Sequence, residues 1–238
     1  MVGIGPGAKE DMSLRALDAI KKSDMVIGYR LYIDLISEIT SGKEIISSAM
    51  RKEVERAELA IHEAQKGKVV SIISSGDAGV YGMAGLVLEI LYNENIRLPL
   101  EIVPGIPAAN AAAALIGAPL MHDYAVISLS DLLTPWETIE KRVRNAAEAD
   151  FVIVIYNPKS SQRDWQLKKA IEIILKYKNA STPVGLIKKA KREGESVVIT
   201  TLDKLEQYSI DMMSIIIIGN SSSFLFQNYI VTKRGYHL

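Results

Sequence analysis

The chain has 238 residues, of which 48% are hydrophobic and 24% are charged, a composition typical of a soluble globular protein. Lysine plus arginine and aspartate plus glutamate number 28 each, so binding of nucleic acid through bulk charge is not expected. The sequence contains no cysteine, which excludes disulfides, thiolate nucleophiles and cysteine-bound metal centres.

Metal and membrane binding are also disfavoured. The three histidines, His62, His122 and His237, lack metal-ligand spacing, so no metal site is expected. No apolar run is long enough to span a membrane, and the first residues lack the pattern of a signal peptide. We therefore expect a cytoplasmic protein without a membrane partner.

The first half of the chain alternates apolar, β-branched runs with helical patterns. Beyond the opening VGIGPG run, Ser13 or Asp11 is suited to cap a helix that carries Leu14, Leu17 and Ile20 on one face. The predicted strands that follow are DMVIGY, KVVSIISSG and LEIVPG, and the predicted helices are residues 51–65, VLEILYNEN and AANAAAALIG. This alternation predicts a parallel sheet that is covered on both faces.

The second half begins where Gly117-Ala118-Pro119 interrupts this pattern, which predicts a boundary between domains 1–117 and 118–238. Helices are expected around residues 139–149 and 166–177. The predicted strands are YAVISLS, ADFVIVIYN, PVGLIKK, SVVITT and SIIIIGN. Because SIIIIGN is the most apolar run of the chain, we expect it at the centre of its sheet.

The opening VGIGPGA matches the G-x-G-x-x-A pattern of a dinucleotide-binding turn. Pro6, however, removes one backbone N–H that would face a phosphate, and the helix begins several residues late, near Ser13. The second strand ends at Arg30 without the carboxylate that binds a ribose, although Arg30 would suit a 2′-phosphate. An NADP-binding oxidoreductase is therefore kept as an alternative, beside a simple tight turn that needs positive φ.

A second glycine-rich loop, SSGDAGVYGM, follows the strand KVVSIIS. Its three glycines permit close backbone approach, and Asp77 is suited to accept from an amine or a hydroxyl group. A cap on the following helix is the alternative role for Asp77. Together with VGIGPG and VPGIPAA this makes three such loops, and in a parallel sheet all three are expected to open on the same edge.

Three motifs in this order resemble those of the tetrapyrrole methylases of corrinoid and sirohaem synthesis: GIGPG, SGDAGVYGM and VPGIPAANAAAALIGAPL. Three more are similar to those of the precorrin-3B or cobalt-factor III C17-methyltransferases: HDYAVISLSDLLTPWETIEKR, VIYNPKS and IGNSSS. The similarity covers essentially the whole chain. It implies an S-adenosylmethionine-dependent methyltransferase of two α/β domains, with the active site in the cleft between them, that works as a homodimer.

The resemblance also implies which residues contact S-adenosylmethionine. In the first domain these are Pro6, Gly76, Asp77, Val80, Pro107 and Ala108, and in the second they are Asn157 and Ala190. The family often has a Thr/Ser-Ala pair at positions 107 and 108, so a side-chain hydroxyl is missing here. Core packing is an equally good explanation for Val80 and Ala190, since apolar pocket walls and cores look alike in sequence.

Family members methylate C17 of the ring and contract the macrocycle in cobalamin biosynthesis, which requires proton transfers. We expect Ser130 or Asp131 to handle these protons, with His122 as second choice, because all three occur in MHDYAVISLSD. The alternatives are a helix cap for Asp131 and a surface position for His122. Ala118 stands where relatives often have a cysteine, so no thiol chemistry is expected.

The implied substrate is an anionic ring with acetate and propionate arms, with or without cobalt. Basic residues near strand ends are candidates to bind these arms, and arginine fits carboxylates bidentately. The candidates are Arg30, Arg51, Lys52 and Lys159, with Arg163 close to the last in sequence. Each is also explained as a solvated surface charge. The functional alternatives are methylation of another ring carbon, a diphthine-type protein methylase, the NADP-binding oxidoreductase and a non-catalytic binding protein.

Overall fold

The computed structural model describes residues 1–49, 52–160 and 162–237. These residues form two compact units, Met1–Ala108 and Ala109–Leu238, each with its own sheet and buried core. The boundary predicted after Gly117 falls inside the second unit, because Gly117 and Ala118 pair with Ile230 and Val231.

The first unit is built on a four-stranded sheet. Its strands are β1 (Val2–Gly3), β2 (Met25–Tyr29), β3 (Glu44–Ser48) and β4 (Val70–Ser74). Its helices are α1 (Leu14–Lys22), α2 (Arg30–Asp34), α3 (Glu53–Gln65) and α4 (Ala84–Asn93), with 3₁₀ helices at Lys9–Asp11 and Ser37–Ile39. The strand order is β1-β4-β2-β3 and every pair is parallel, which confirms the predicted parallel sheet.

Both faces of this sheet are buried, as the apolar strands predict. Met25 and Ile27 of β2 pack into one core cluster, whereas Val26, which points to the opposite face, packs into another. Ser13 caps α1 as predicted, because its Oγ accepts a hydrogen bond of 3.1 Å from the Ala16 N–H.

Two predictions are wrong in detail: the apolar face of α1 and the strand at LEIVPG. Leu14 is 84% exposed, because the buried stripe of α1 runs through Ala16 and Ile20 instead. LEIVPG forms no strand; it is reduced to a parallel bridge between Val2 and Val103. Pro104 follows immediately and has no N–H with which to extend the ladder.

The second unit contains a five-stranded sheet and a smaller three-stranded sheet. The five strands are β6 (Tyr124–Ser128), β7 (Val152–Tyr156), β8 (Pro183–Lys188), β9 (Ser196–Thr201) and β10 (Ser214–Ile218). The helices are α5 (Ala108–Ile116), which begins at the last residue of the first unit, α6 (Trp136–Glu148) and α7 (Trp165–Ile174), with a 3₁₀ helix at Leu202–Gln207. These five strands match the predicted ones.

The order of the larger sheet is β6-β7-β10-β8-β9, so β10 is its central strand. All five residues of β10 are buried, which confirms the position predicted from the SIIIIGN run. β10 is antiparallel to both β7 and β8, and β6 is parallel to β7. β6, β7 and β8 therefore run in the same direction, and their carboxyl ends lie at the same edge.

The smaller sheet was not predicted from the sequence. It joins β5 (Gly117–Ala118), β11 (Ser223–Phe226) and β12 (Tyr229–Thr232) in the order β11-β12-β5. The β11–β12 hairpin turns through Gln227, which has a φ of 53°. Because the turn has no glycine, the usual hairpin signal is missing from the sequence. In the part of the chain that the structure describes, no helix meets the length and apolarity needed to cross a membrane.

Candidate active site

The first two glycine-rich loops are bonded to each other at the carboxyl ends of β1 and β4. The Gly5 N–H donates to the Gly76 carbonyl at 3.0 Å, and the Gly76 N–H donates to the Gly5 carbonyl at 2.7 Å. Pro6, one of the predicted cofactor contacts, follows directly and is buried.

The third loop closes against the same point. A β-carbon on Gly3 would lie 2.7 Å from the Gly76 carbonyl oxygen, and one on Gly105 would overlap that oxygen outright. Only glycine permits these backbones to come so close. The structure therefore confirms that the three loops open on one edge of the sheet. We call residues 3–8, 75–83 and 103–108 the glycine-loop cluster.

Asp77 ties this cluster together. Its Oδ1 accepts from the Gly79 N–H at 2.7 Å, and its Oδ2 accepts from the Gly105 N–H at 3.0 Å. It does not cap α4, whose N-cap residue is Met83. Each carboxylate oxygen has two lone pairs, so Asp77 keeps the capacity to accept a further hydrogen bond from a ligand.

The other predicted cofactor residues of the first unit lie nearby. A β-carbon on Gly76, where φ is +64°, would be 3.5 Å from the Pro107 α-carbon and 3.7 Å from the Ala108 nitrogen. Val80 is 38% exposed, so its side chain is not part of the core. The structure thus brings Pro6, Gly76, Asp77, Pro107 and Ala108 into one cluster, although their contact with a cofactor stays a prediction.

In the second unit, the motifs ISLSD and YNPKS follow β6 and β7 and meet through Arg163. Its Nη1 donates to the Leu129 carbonyl at 3.0 Å and to the Asn157 carbonyl at 2.6 Å. Arg163 also pairs with Ser160 through two backbone hydrogen bonds. Burial lowers the pKa of the Arg163 guanidinium, and nearby Asp131 opposes this shift. Arg163 is therefore part of the framework that joins the two motifs, and its binding to a substrate carboxylate stays a prediction.

A second connection runs through Ser128, the last residue of β6. Its Oγ accepts from the Asn157 side-chain amide at 2.9 Å and from the Ser130 N–H at 3.2 Å. Asn157 has a φ of 49°, a left-handed conformation that asparagine tolerates better than most residues. Two predicted site residues, Ser130 and Asn157, are thereby held by the same hydroxyl group.

Asp131 lies beside Arg163 and Gln166. The Gln166 Nε2 donates to the Asp131 Oδ2 at 2.8 Å, and the Arg163 Nε lies 3.9 Å from the Asp131 Oδ1. Asp131 does not cap α6, whose N-cap residue is Pro135. We call Ser128, Ser130, Asp131, Asn157, Arg163 and Gln166 the polar cluster of the second unit.

His122 does not belong to this cluster. It precedes β6, whereas Ser130 and Asp131 follow it, and a strand advances about 3.3 Å per residue. The five residues of β6 therefore separate His122 from Asp131 by roughly 16 Å. Sequence proximity was misleading because an extended strand carries its two ends apart. The imidazole is exposed, and its Nδ1 accepts from the Asp123 N–H at 2.8 Å.

Ala190 lies in the loop after β8, at the same sheet edge as the polar cluster. Its neighbours Lys189 and Lys191 both have left-handed backbones, with φ of 52° and 61°. Such conformations are unfavourable for lysine and often mark functional loops. The main-chain contact of Ala190 with the cofactor stays a prediction.

The predicted substrate-binding residues are spread more widely. Arg30 is exposed at the first position of α2, and Lys52 forms an ion pair with Glu55. Lys159 is half-buried and forms no ion pair with any residue in the described ranges. Arg51 lies outside the described residues. The sequence reasoning missed Ser128 and Gln166, because only the pairing of distant loops gives these side chains their partners.

The comparisons with known proteins agree with the motifs. The model of the Tetrapyrrole (Corrin/Porphyrin) Methylases family matches residues 1–206. The chain belongs to this family.

Two relatives indicate the branch of this family to which the chain is most similar. It is 50% identical over 240 residues to the cobalt-factor III methyltransferase of Priestia megaterium, covering 99% of this chain and 44% of that protein. It is 45% identical over 238 residues to the probable cobalt-factor III C(17)-methyltransferase of Salmonella typhimurium, covering 100% of this chain and 99% of that protein. The chain therefore spans less than half of the first relative and nearly all of the second.

The fold also matches a solved structure. The crystal structure of the methyltransferase CobJ superimposes with a TM-score of 0.91 at 31% identity, over 98% of each chain. These findings confirm the predicted α/β fold of two domains and the C17-methyltransferase branch.

Proposed function

We propose that this protein methylates C17 of a cobalt-factor III type ring in cobalamin biosynthesis, with S-adenosylmethionine as the methyl donor. The observation that carries the proposal is the full-length match to the Salmonella relative, together with the joining of the branch motifs ISLSD and YNPKS through Arg163. The cobalt-containing ring is preferred to metal-free precorrin-3B because both relatives are named for cobalt-factor III.

The glycine-loop cluster fits the methyl donor. Asp77 offers free lone pairs to an ammonium or hydroxyl group, and Val80 and Ile106 present exposed apolar surface beside it. When bound, S-adenosylmethionine supplies a methyl group on a positively charged sulfur, which is already a good leaving group. Asn157 and Ala190 are proposed as further contacts to the donor, as the family resemblance implies.

The residues of this chain then act mainly by orientation. No covalent intermediate with the protein is needed, since an electron-rich ring carbon is itself the nucleophile. Holding two reactants in line contributes up to roughly 7–11 kcal/mol to a reaction of this kind. The hydrogen bonds within the glycine-loop cluster, such as the Gly5–Gly76 pair, keep the donor loops rigid.

Ring contraction is proposed as a second part of the reaction, with Asp131 and Ser130 handling protons. Asp131 is suited to this role because its side chain is 30% exposed while Gln166 fixes its Oδ2. For the carboxylate arms of the ring, Lys159 is the preferred cation, followed by Arg30, Lys52 and Arg51. Lys159 is placed first because it belongs to the YNPKS motif, two residues from Asn157 of the polar cluster, and is half-buried.

We further propose that the protein is a cytoplasmic homodimer whose contact includes the β11–β12 hairpin. Phe224, Leu225, Phe226 and Tyr229 of this hairpin are all exposed, and β11 is an edge strand. Exposed apolar edges of this kind favour pairing with another chain. Sedimentation should show a dimer that Phe226→Asp converts to a monomer, and a wild-type monomer would contradict this part of the proposal.

The reaction is tested by incubating the protein with cobalt-factor III and S-adenosylmethionine and following the ring by mass spectrometry. We expect the gain of one methyl group and a changed absorption spectrum. Asp131→Asn should keep the affinity for S-adenosylhomocysteine and lose turnover. Methyl transfer to no ring substrate would contradict the proposal and favour a non-catalytic binding protein.

A further inference from the structure

Gln166 is the most unusual buried polar residue among those the structure describes. It is the second residue of α7 and only 3% exposed. Its Nε2 donates to Asp131, but its Oε1 has no hydrogen-bond partner among the described residues. A buried carbonyl without a partner costs free energy, so stability alone does not account for a glutamine at this position.

The orientation of the amide is set by Asp131. If the amide were reversed, its oxygen would face the Asp131 Oδ2, and two acceptors would meet without a proton between them. The acceptor oxygen of Asp131 therefore selects the observed orientation, in which Nε2 donates and Oε1 is left unpaired. A second, basic contact to this carboxylate comes from the Arg163 guanidinium, whose Nε lies 3.9 Å from the Oδ1.

We infer that Gln166 is a positioning residue that holds the carboxylate of Asp131 in the orientation needed for proton transfer to and from the ring. This inference rests on the proposed function, because it takes Asp131 as the proton-handling group. Gln166 acts on Oδ2 from α7, and Arg163 faces Oδ1 from the loop after β7. Together they fix the plane of the carboxylate while part of Asp131 stays exposed.

The direct test is Gln166→Met, which keeps the length of the side chain and removes both the donor and the unpaired carbonyl. We expect the melting temperature to be unchanged or raised, because the variant no longer buries the unpaired Gln166 Oε1. Asp131 is partly exposed, so water can replace the hydrogen bond that it loses. The kcat for ring contraction should decrease by a factor of about 10 to 100, as expected for a misplaced reacting group. The KM for the ring and the affinity for S-adenosylhomocysteine should not change.

Two further variants make the result specific. Gln166→Met should add no further loss of kcat when Asp131 is already replaced by Asn, since coupled residues are not additive. Gln207→Met is the matched control. Gln207 is exposed and follows β9, which is antiparallel to β8, so it lies at the sheet edge opposite Asp131. This control should leave kcat unchanged.

Nuclear magnetic resonance separates this inference from the proposed function. The side-chain amide signal of Gln166, identified by its loss in Gln166→Met, should shift and exchange faster with solvent in Asp131→Asn. That result supports the contact even if the wild-type protein methylates no ring. A Gln166 signal that does not respond to Asp131→Asn would overturn the inference. So would a Gln166→Met protein with wild-type kcat, or one that loses kcat only in proportion to its loss of folded protein.

Discussion

Two glycines of the first unit have opposite surroundings. Gly105 has no room for a β-carbon because the Gly76 carbonyl oxygen and the Gly3 backbone occupy the space, whereas a β-carbon on Gly85 would meet nothing within 4 Å. Gly105→Ala should therefore lower the free energy of unfolding by about 3 kcal/mol or more and abolish binding of S-adenosylhomocysteine.

Gly85→Ala is the matched control for this prediction. Gly85 lies in the first turn of α4, where alanine is expected to add about 0.5–1 kcal/mol of stability. Urea unfolding and calorimetric titration measure both effects. If Gly105→Ala bound S-adenosylhomocysteine as well as Gly85→Ala does, the glycine-loop cluster would not be the donor site.

A partly buried ion pair joins Asp150, in the turn between α6 and β7, to Lys178, which follows α7. The Lys178 Nζ lies 3.0 Å from the Asp150 Oδ1, and Ser221 donates to the same carboxylate through its N–H and its hydroxyl group. Burial acts to raise the pKa of Asp150, but the hydrogen bonds from Ser221 and Lys178 outweigh it and hold the pKa below its usual value. Burial lowers the pKa of Lys178, although Asp150 opposes that shift.

This pair predicts a pH dependence of stability. Because the pKa of Asp150 is lowered by folding, its contribution is fully present above its unfolded value of about 3.9 and is lost as the pH falls through the folded value. Asp150→Asn should lower the free energy of unfolding by about 2–3 kcal/mol at pH 7. This is less than the loss expected on breaking a fully buried pair, because Asp150 is partly exposed. The difference from wild type should shrink below about pH 4 in urea unfolding.

Asp18→Asn is the control for this pair. Asp18 forms an exposed pair with Lys22 on α1, and its loss should cost no more than about 0.5 kcal/mol at either pH. An Asp150→Asn protein as stable as Asp18→Asn at pH 7 would show that Asp150 contributes nothing.

The loop between β6 and α6 has an unusual surface. Leu132 is 70% exposed and Leu133 is 98% exposed, directly after Asp131. Both ends of the loop are anchored, by the Asp131–Gln166 hydrogen bond and by the edge-to-face contact of Trp136 with Trp165. Under the proposed function, we expect these leucines to pack on the apolar face of the macrocycle.

Leu133→Ser should therefore raise the KM for the ring substrate by about tenfold, since burial of a leucine contributes about 1.5–3 kcal/mol. The affinity for S-adenosylhomocysteine and the melting temperature should stay the same. Leu14→Ser, at an exposed leucine of α1, is the control and should change none of the three. An unchanged KM in Leu133→Ser would exclude contact of this side chain with the ring.

Whole elements were more predictable than their contacts. The buried centre of β10 and the shared edge of the glycine-rich loops follow from apolar runs and from the parallel sheet, both of which are written in the local sequence. The β11–β12 hairpin was missed because Gln227 gives no turn signal, and the strand at LEIVPG was overpredicted because Pro104 stops its ladder.

In the candidate site, too, the residues were easier to predict than their contacts. The motifs alone indicate Asp131 and Asn157 as candidates, but only the folded chain shows that Arg163 and Gln166 hold them. Proximity in sequence groups His122 with Asp131, whereas β6 separates the two residues in the fold. Interactions between loops that are far apart in sequence leave no local pattern from which to predict them.

The complete protein is proposed to methylate one particular ring carbon. The most direct measurement uses S-adenosylmethionine with a ¹³C-labelled methyl group and cobalt-factor III, with the product examined by nuclear magnetic resonance. We expect a single labelled methyl group on C17. A label on any other ring carbon, or an unlabelled ring after incubation with folded, donor-binding protein, would contradict it.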